Sequence, residues 1–136
     1  MQPMMQRIGL AALLILVGQH ALASQTLCTF ESGTSSPYYE LEFIGYSDAK
    51  PVIVFSSTAF GAGKRVTLQA ADYTLRQFSS STAAVVLEFR NPGSGALPAS
   101  FTLTGRGGDA TLKSGSTAVT GTFRCDLDRK DQRVRR

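Results

Sequence analysis

Ser47-Asp48-Ala49-Lys50 sets a serine and a lysine three residues apart, the S-x-x-K spacing of serine–lysine acyl enzymes. That chemistry needs both side chains on one helical face, so that the amine can take the hydroxyl proton. Pro51 follows at once, then a strand-like run, and no S-D-N or K-T-G companion exists. The spacing therefore reads as a turn. Gly61-Ala62-Gly63-Lys64-Arg65 is glycine-rich like a phosphate loop. It lacks the first glycine at the required distance and the Ser or Thr after Lys64, so it reads as a flexible turn. Glu40 and Glu42 lie two apart, which puts both carboxylates on one face of a strand. An inverting glycosidase holds two carboxyl groups roughly 6.5–9.5 Å apart. With no cleft predicted around them, a solvated outer face is the expectation. Asp109 follows Gly107-Gly108 and reads as a turn residue.

The single histidine, His20, falls in an N-terminal stretch that carries its own signature for removal. Arg7 precedes the apolar run Ile8–Val17, and Ala21-Leu22-Ala23 offers the small-x-small pattern of signal peptidase sites. Ten apolar residues rise roughly 15 Å as a helix, half a hydrocarbon core. Residues 1–23 are thus expected to be a cleavable signal peptide, and the mature chain is not expected to span a membrane. Leu27 before Cys28 is too bulky for a lipoprotein signal. Periplasm or extracellular space is the expected location. Without histidine, the mature chain lacks Ser-His-Asp and Cys-His catalysis and most zinc or copper chemistry. No catalytic residue, metal site or cofactor is expected.

Cys28 and Cys125 are the two cysteines, near the two ends of the mature chain. Export into an oxidising compartment makes their pairing the default, which also removes them as nucleophiles. The pairing brings the first and last strands together. Removal of Arg7 leaves thirteen basic against ten acidic residues, and Arg129, Lys130, Arg133, Arg135 and Arg136 sit at the C-terminus. The high pI reports that tail, residues 128–136, which is expected to be disordered. The body carries no basic stripe with interleaved aromatics, so nucleic acid is not an expected partner.

The elements that must position any site are strands. Thr, Val, Phe, Tyr and Leu are punctuated every eight to twelve residues by Gly, Ser, Pro and Asp. Segments 26–31, 39–46, 52–56, 65–70, 73–78, 83–90, 99–105, 109–113 and 117–127 are predicted strands. In the last, Val119, Gly121, Phe123 and Cys125 alternate with Thr120, Thr122 and Arg124, the period of a strand with one buried face. One stretch is ambiguous: Ala71, Leu75 and Phe78 fall at helical spacing, whereas Tyr73-Thr74 favours a strand. Residues 24–127 are expected to form one all-β domain, a small antiparallel β-barrel or alternatively a β-sandwich, with a disulfide joining its first and last strands.

A domain without catalytic chemistry works through its surface. Phe60, among small residues in the loop 57–64, either anchors a partner or folds back as a core plug. Lys64 ends that loop. Tyr38 should face opposite to Tyr39, offering a second aromatic edge. These three are the candidate binding residues, for a protein or for a small apolar or glycan ligand. The expected function is an exported non-catalytic binding protein. The alternatives are an inhibitor inserting loop 57–64 into a hydrolase cleft, and a hydrolase using Glu40 and Glu42.

The stretch Gly105-Arg106-Gly107-Gly108-Asp109-Ala110-Thr111-Leu112, followed by Gly115 and Cys125, resembles the late part of periplasmic inhibitors of c-type lysozyme. The resemblance covers about twenty residues. It implies a small secreted or lipid-anchored β-barrel with a disulfide between an early and a late cysteine. That family's Ser-Gly-x-x-Tyr inhibitory loop has no clear match in this chain.

Overall fold

Successive Gly-, Ser- and Asp-rich turns fold the alternating segments into one antiparallel sheet. The computed structural model describes residues 25–33, 37–91, 93 and 95–125. Among these are strands β1 (Gln25–Ser32), β2 (Tyr39–Gly45), β3 (Val52–Ser57), β4 (Val66–Thr67), β5 (Tyr73–Ser79), β6 (Ala84–Arg90), β7 (Ser100–Arg106), β8 (Asp109–Ser114) and β9 (Thr117–Cys125). The sheet order is β4-β3-β2-β1-β9-β8-β7-β6-β5. Every sequential pair is antiparallel except across the β4–β5 connection, and β1 pairs β9 to join the two halves. The expected signal peptide and basic tail lie outside the described residues.

Turn chemistry sets the register. Gly107 and Gly108 both hold positive φ (65° and 105°), and Arg106 pairs Asp109 across them. Two left-handed residues are what a two-residue hairpin needs to match the strand twist. The inward-facing side chains are large along most rows but small along one. Gly105 pairs Ala110, Ala110 pairs Gly121, and Gly121 pairs Ser32. A Cβ on Gly121 would overlap the Glu31 carbonyl and stand 2.8 Å from Ser32 Cα. The absent side chain is therefore what lets β1 lie close against β9.

The sheet curls so that β2 and β3 face β5 to β7 across a core of rings. Phe43 stacks on Phe78 with centroids 5.0 Å apart, and Phe55 stacks on Phe101 at 5.6 Å. Phe123 meets Phe43 edge-on at 5.6 Å. Phe30, Phe43, Phe55, Leu41, Leu87, Leu103 and Leu112 are fully buried. Each such side chain contributes about 1.5–3 kcal/mol when taken out of water. Cys28 and Cys125 are directly opposed on β1 and β9, Cα atoms 3.8 Å apart, and form the disulfide. It ties the first strand to the last in the middle of the sheet.

The curled sheet is a half-barrel, and here the expectation of a closed barrel is corrected. Nothing pairs β4 with β5 among the described residues. The segment 65–70 was expected to supply a full strand, but only Val66 and Thr67 pair with β3. The Leu68 N–H donates to the Ile53 carbonyl (2.8 Å), and the chain then leaves the sheet through a 3₁₀ turn at Ala70–Asp72. β5 also departs from regularity. Its register with β6 shifts between Leu75 and Gln77, so Arg76 is a bulge residue. The extra residue flips the alternation, and Leu75 and Phe78 both face the core three positions apart. The helical spacing of this stretch is a bulged strand.

Candidate functional site

Of the residues singled out from sequence, Tyr38 and Phe60 are connected through the loop 57–64. The Tyr38 N–H donates to Thr58 Oγ1 (2.8 Å), and the Thr58 N–H donates back to the Tyr38 carbonyl (3.1 Å). Loop 57–64 is thereby tied to the start of β2. Ser57, fully buried, accepts the Ala59 N–H on its hydroxyl (3.0 Å) and the Phe60 N–H on its carbonyl (3.3 Å). This tight turn sends Phe60 inward. Its ring is 6.5 Å from those of both Tyr39 and Phe55, packed against the core. Of the two roles open to Phe60, the geometry matches the plug. Lys64 is exposed.

Tyr38 is half-buried, and its hydroxyl donates to Glu40 Oε1 (2.8 Å). Burial, that hydrogen bond and the nearby Glu40 and Glu31 charges push its pKa well above the usual phenol range. Glu42 is ion-paired with Arg65 (2.6 Å) and accepts a long hydrogen bond from Thr26 (3.4 Å). Both carboxylates of the would-be acid–base pair are thus engaged on the outer face of β2. Among the described residues no group of His, Cys, Asp and Glu is arranged to hold a metal ion. No helix among them is long and apolar enough to cross a membrane.

A different recess is built by the open seam. Where β4 ends short and β5 begins, the sheet leaves a slot of about 620 Å³. Val52, Thr67 and Leu68 form one wall, and the β5 edge from Leu75 to Phe78 forms the other. The crossover Leu68–Tyr73 closes the slot covalently at one end. At the other end the loop Ser47–Lys50 closes it, because Asp48 Oδ2 accepts the Ser80 N–H (3.1 Å) from the β5–β6 turn. The floor is apolar: Leu68 is buried, and Leu75 and Phe78 are half-buried, with Phe78 stacked on Phe43. Asp48, Lys50, Arg76 and Gln77 supply a polar rim.

The rim charges differ in their occupation. Arg76 Nε meets Glu88 Oε2 at 3.0 Å, and this contact holds the Glu88 pKa below its usual value. Asp48 is held by the Ser80 amide. Lys50 has no ion pair or side-chain hydrogen bond among the described residues. Its backbone is left-handed, φ 52°, directly before Pro51. A residue before proline favours extended backbone, and a side-chain-bearing residue in the left-handed region costs about 1–2 kcal/mol.

Two further hollows lie on the outer face of β5 to β9. One is lined by Thr104, Thr111, Thr120 and the backbone of Gly105 and Gly121. The other is lined by Thr74, Glu88, Thr102 and Lys113 together with Phe89 and Phe101. The seam slot differs in lying at the unpaired edges of the sheet, over Leu68, Leu75 and Phe78. Apolar depth under a few polar groups is the usual form of a small-molecule site.

Comparison with known protein families, with curated proteins and with solved structures finds no match to this chain. The stretch resembling lysozyme inhibitors is the β7–β8 hairpin. Its Gly107-Gly108 pair supplies the two positive φ angles that one common class of two-residue hairpin needs, so the likeness has a local physical cause.

Sequence reasoning missed the slot. In sequence Lys50 carries only the S-x-x-K spacing with Ser47, and Leu75 and Phe78 only a pattern shared by helix and strand. The signal that was present is that ambiguity itself. Apolar residues that switch from period two to a gap of three mark a bulged strand, and bulges favour sheet edges.

Proposed function

We propose that this chain is an exported, non-catalytic binding protein of the periplasm or extracellular space, and that it binds a small amphipathic ligand in the seam slot. The observation that carries the reading is the slot itself: a recess framed on four sides, floored by Leu68, Leu75 and Phe78 and rimmed by polar groups. The sequence supports the setting through its export signal, its two cysteines and the lack of histidine after residue 20. The core argues against a central ligand cavity, because stacked phenylalanines fill the space between the two halves.

The test is an uncharged fluorescent reporter, N-phenyl-1-naphthylamine, titrated into the oxidised exported protein. Thr67 is exposed and lines the slot. Thr67→Phe fills the mouth without touching the core and should abolish the fluorescence rise. Thr111→Phe on the outer face of β8 should leave it intact. Equal reporter binding in both variants would sink the proposal.

One observation favours a second reading, insertion of loop 57–64 into a hydrolase cleft. Gly61, Ala62 and Gly63 all hold positive φ (64°, 55° and 83°), and the Lys64 N–H donates to the Gly61 carbonyl (3.0 Å). The exposed tip is therefore narrow and pre-shaped, a form that lowers the ordering cost of docking. Inhibition of a panel of lysozymes and proteases, lost in Lys64→Glu, would support it. No inhibition of any panel member would remove it.

A further inference from the structure

We propose that the ligand of the seam slot carries one carboxylate on an apolar body, and that Lys50 is the residue that selects the charge. This rests on the reading of the slot as the binding site. Three observations point the same way. Of the charged groups on the rim, Asp48 is engaged by the Ser80 amide and Arg76 by Glu88, while Lys50 has no partner among the described residues. An ammonium over an apolar floor is complementary to an anion with a hydrophobic body.

The second observation is backbone strain. Lys50 stands at φ 52° before Pro51, where glycine or asparagine would sit without penalty. Its side chain is thus placed at the slot against the preference of its backbone. Strain of this kind concentrates where a side chain has a task. Loop closure alone would be served as well by glycine, since Asp48 is the side chain that fastens the loop.

The third observation limits the charge. Asp48 lies two residues from Lys50 on the same rim, and its carboxylate disfavours a second negative charge nearby. A dianionic phosphate meets more repulsion there than a carboxylate does. The slot is therefore matched to a monoanion.

The experiment compares three ligands with one apolar tail: decanoate, 1-decanol and decyltrimethylammonium. Each is titrated into the oxidised exported protein at pH 7 below its micellar range, by calorimetry and by amide chemical-shift mapping. Decanoate should bind about five- to tenfold more tightly than decanol, and the cation should bind worst. Shifts should centre on Leu75, Phe78 and Lys50. Lys50→Gly should cancel the preference for decanoate, leave decanol affinity unchanged and not lower thermal stability. Lys50→Arg should keep the preference. Equal binding of decanoate and decanol, or a preference that survives Lys50→Gly, overturns the carboxylate assignment while leaving the slot in place. Failure of all three ligands to bind, or shifts confined to other faces, overturns the slot reading itself.

Discussion

Gly121→Ala tests how the half-barrel is held together. The new methyl would overlap the Glu31 carbonyl and lie 2.8 Å from both Glu31 C and Ser32 Cα. These are backbone atoms, so no rotamer change relieves the overlap. To reach ordinary contact β1 must move from β9 by about 1 Å, which stretches a hydrogen bond near 2.9 Å beyond any useful length. The pairs Glu31–Thr122 and Ser32–Gly121 are the ones affected. Losing about two backbone bonds costs about 1–3 kcal/mol. Residual overpacking adds about 1–3 kcal/mol. The expected loss is about 4 kcal/mol, a large share of the ~5–15 kcal/mol that holds a domain of this size. With an unfolding entropy near 0.2 kcal/mol/K for about 100 residues, the melting temperature should fall by roughly 20 °C. Urea and thermal unfolding followed by circular dichroism measure it. Gly33→Ala is the control, because a Cβ there meets nothing within 4 Å. A Gly121→Ala protein melting within about 3 °C of the parent would refute the close-approach argument.

Three other outcomes are expected. Replacing both Cys28 and Cys125 with alanine releases a crosslink between residues 97 apart in sequence. The chain-entropy relation gives a loss of about 4–5 kcal/mol, measurable as a shift in urea midpoint at unchanged native fluorescence. Phe60→Ala removes a half-buried ring packed on Tyr39 and Phe55 and should cost about 1–3 kcal/mol. Unchanged stability in that variant would return Phe60 to the role of an exposed anchor. Tyr38 should stay protonated as pH rises through the usual phenol range, because burial and its Glu40 hydrogen bond raise its pKa. Because its folded pKa is raised, its contribution to stability is complete below about pH 10 and declines above it. Tyr38→Phe should flatten that decline, and ultraviolet difference titration should show one fewer late-titrating phenol.

Most of the fold was legible because strand alternation is local. Phe101 and Leu103 against Thr102 and Thr104, or Leu41 and Phe43 against Glu40 and Glu42, declare a buried face within one segment. Two cysteines admit one intramolecular pairing, so the contact of first and last strands was also readable. Closure of the barrel was not. It depends on whether 65–70 pairs along its length, and that is decided by where Leu68 anchors on Ile53 and where the chain turns at Ala70. Nothing in the pattern of Val66 and Leu68 separates two paired residues from six. The site was hidden for the same reason. Lys50 and Phe78 are 28 positions apart in sequence, and only the curl of the sheet brings their segments to one recess.

The seam has features that edge protection alone would produce, and the two accounts can be separated. A sheet edge must discourage pairing with another chain, and short strands, bulges and charges achieve this. β4 is two residues long, β5 carries the Arg76 bulge, and Arg76 and Lys50 bring charge to the edges. Protection explains these, but it does not explain an apolar floor. An edge guarded against association gains nothing from an apolar floor of partly buried Leu75 and Phe78 beneath the charges. Nor does it call for a left-handed lysine, since charge could be carried at an unstrained position such as Gln77. The protective devices keep the slot from being filled by a strand. What remains accessible is a recess whose depth and charge suit a molecule smaller than a peptide.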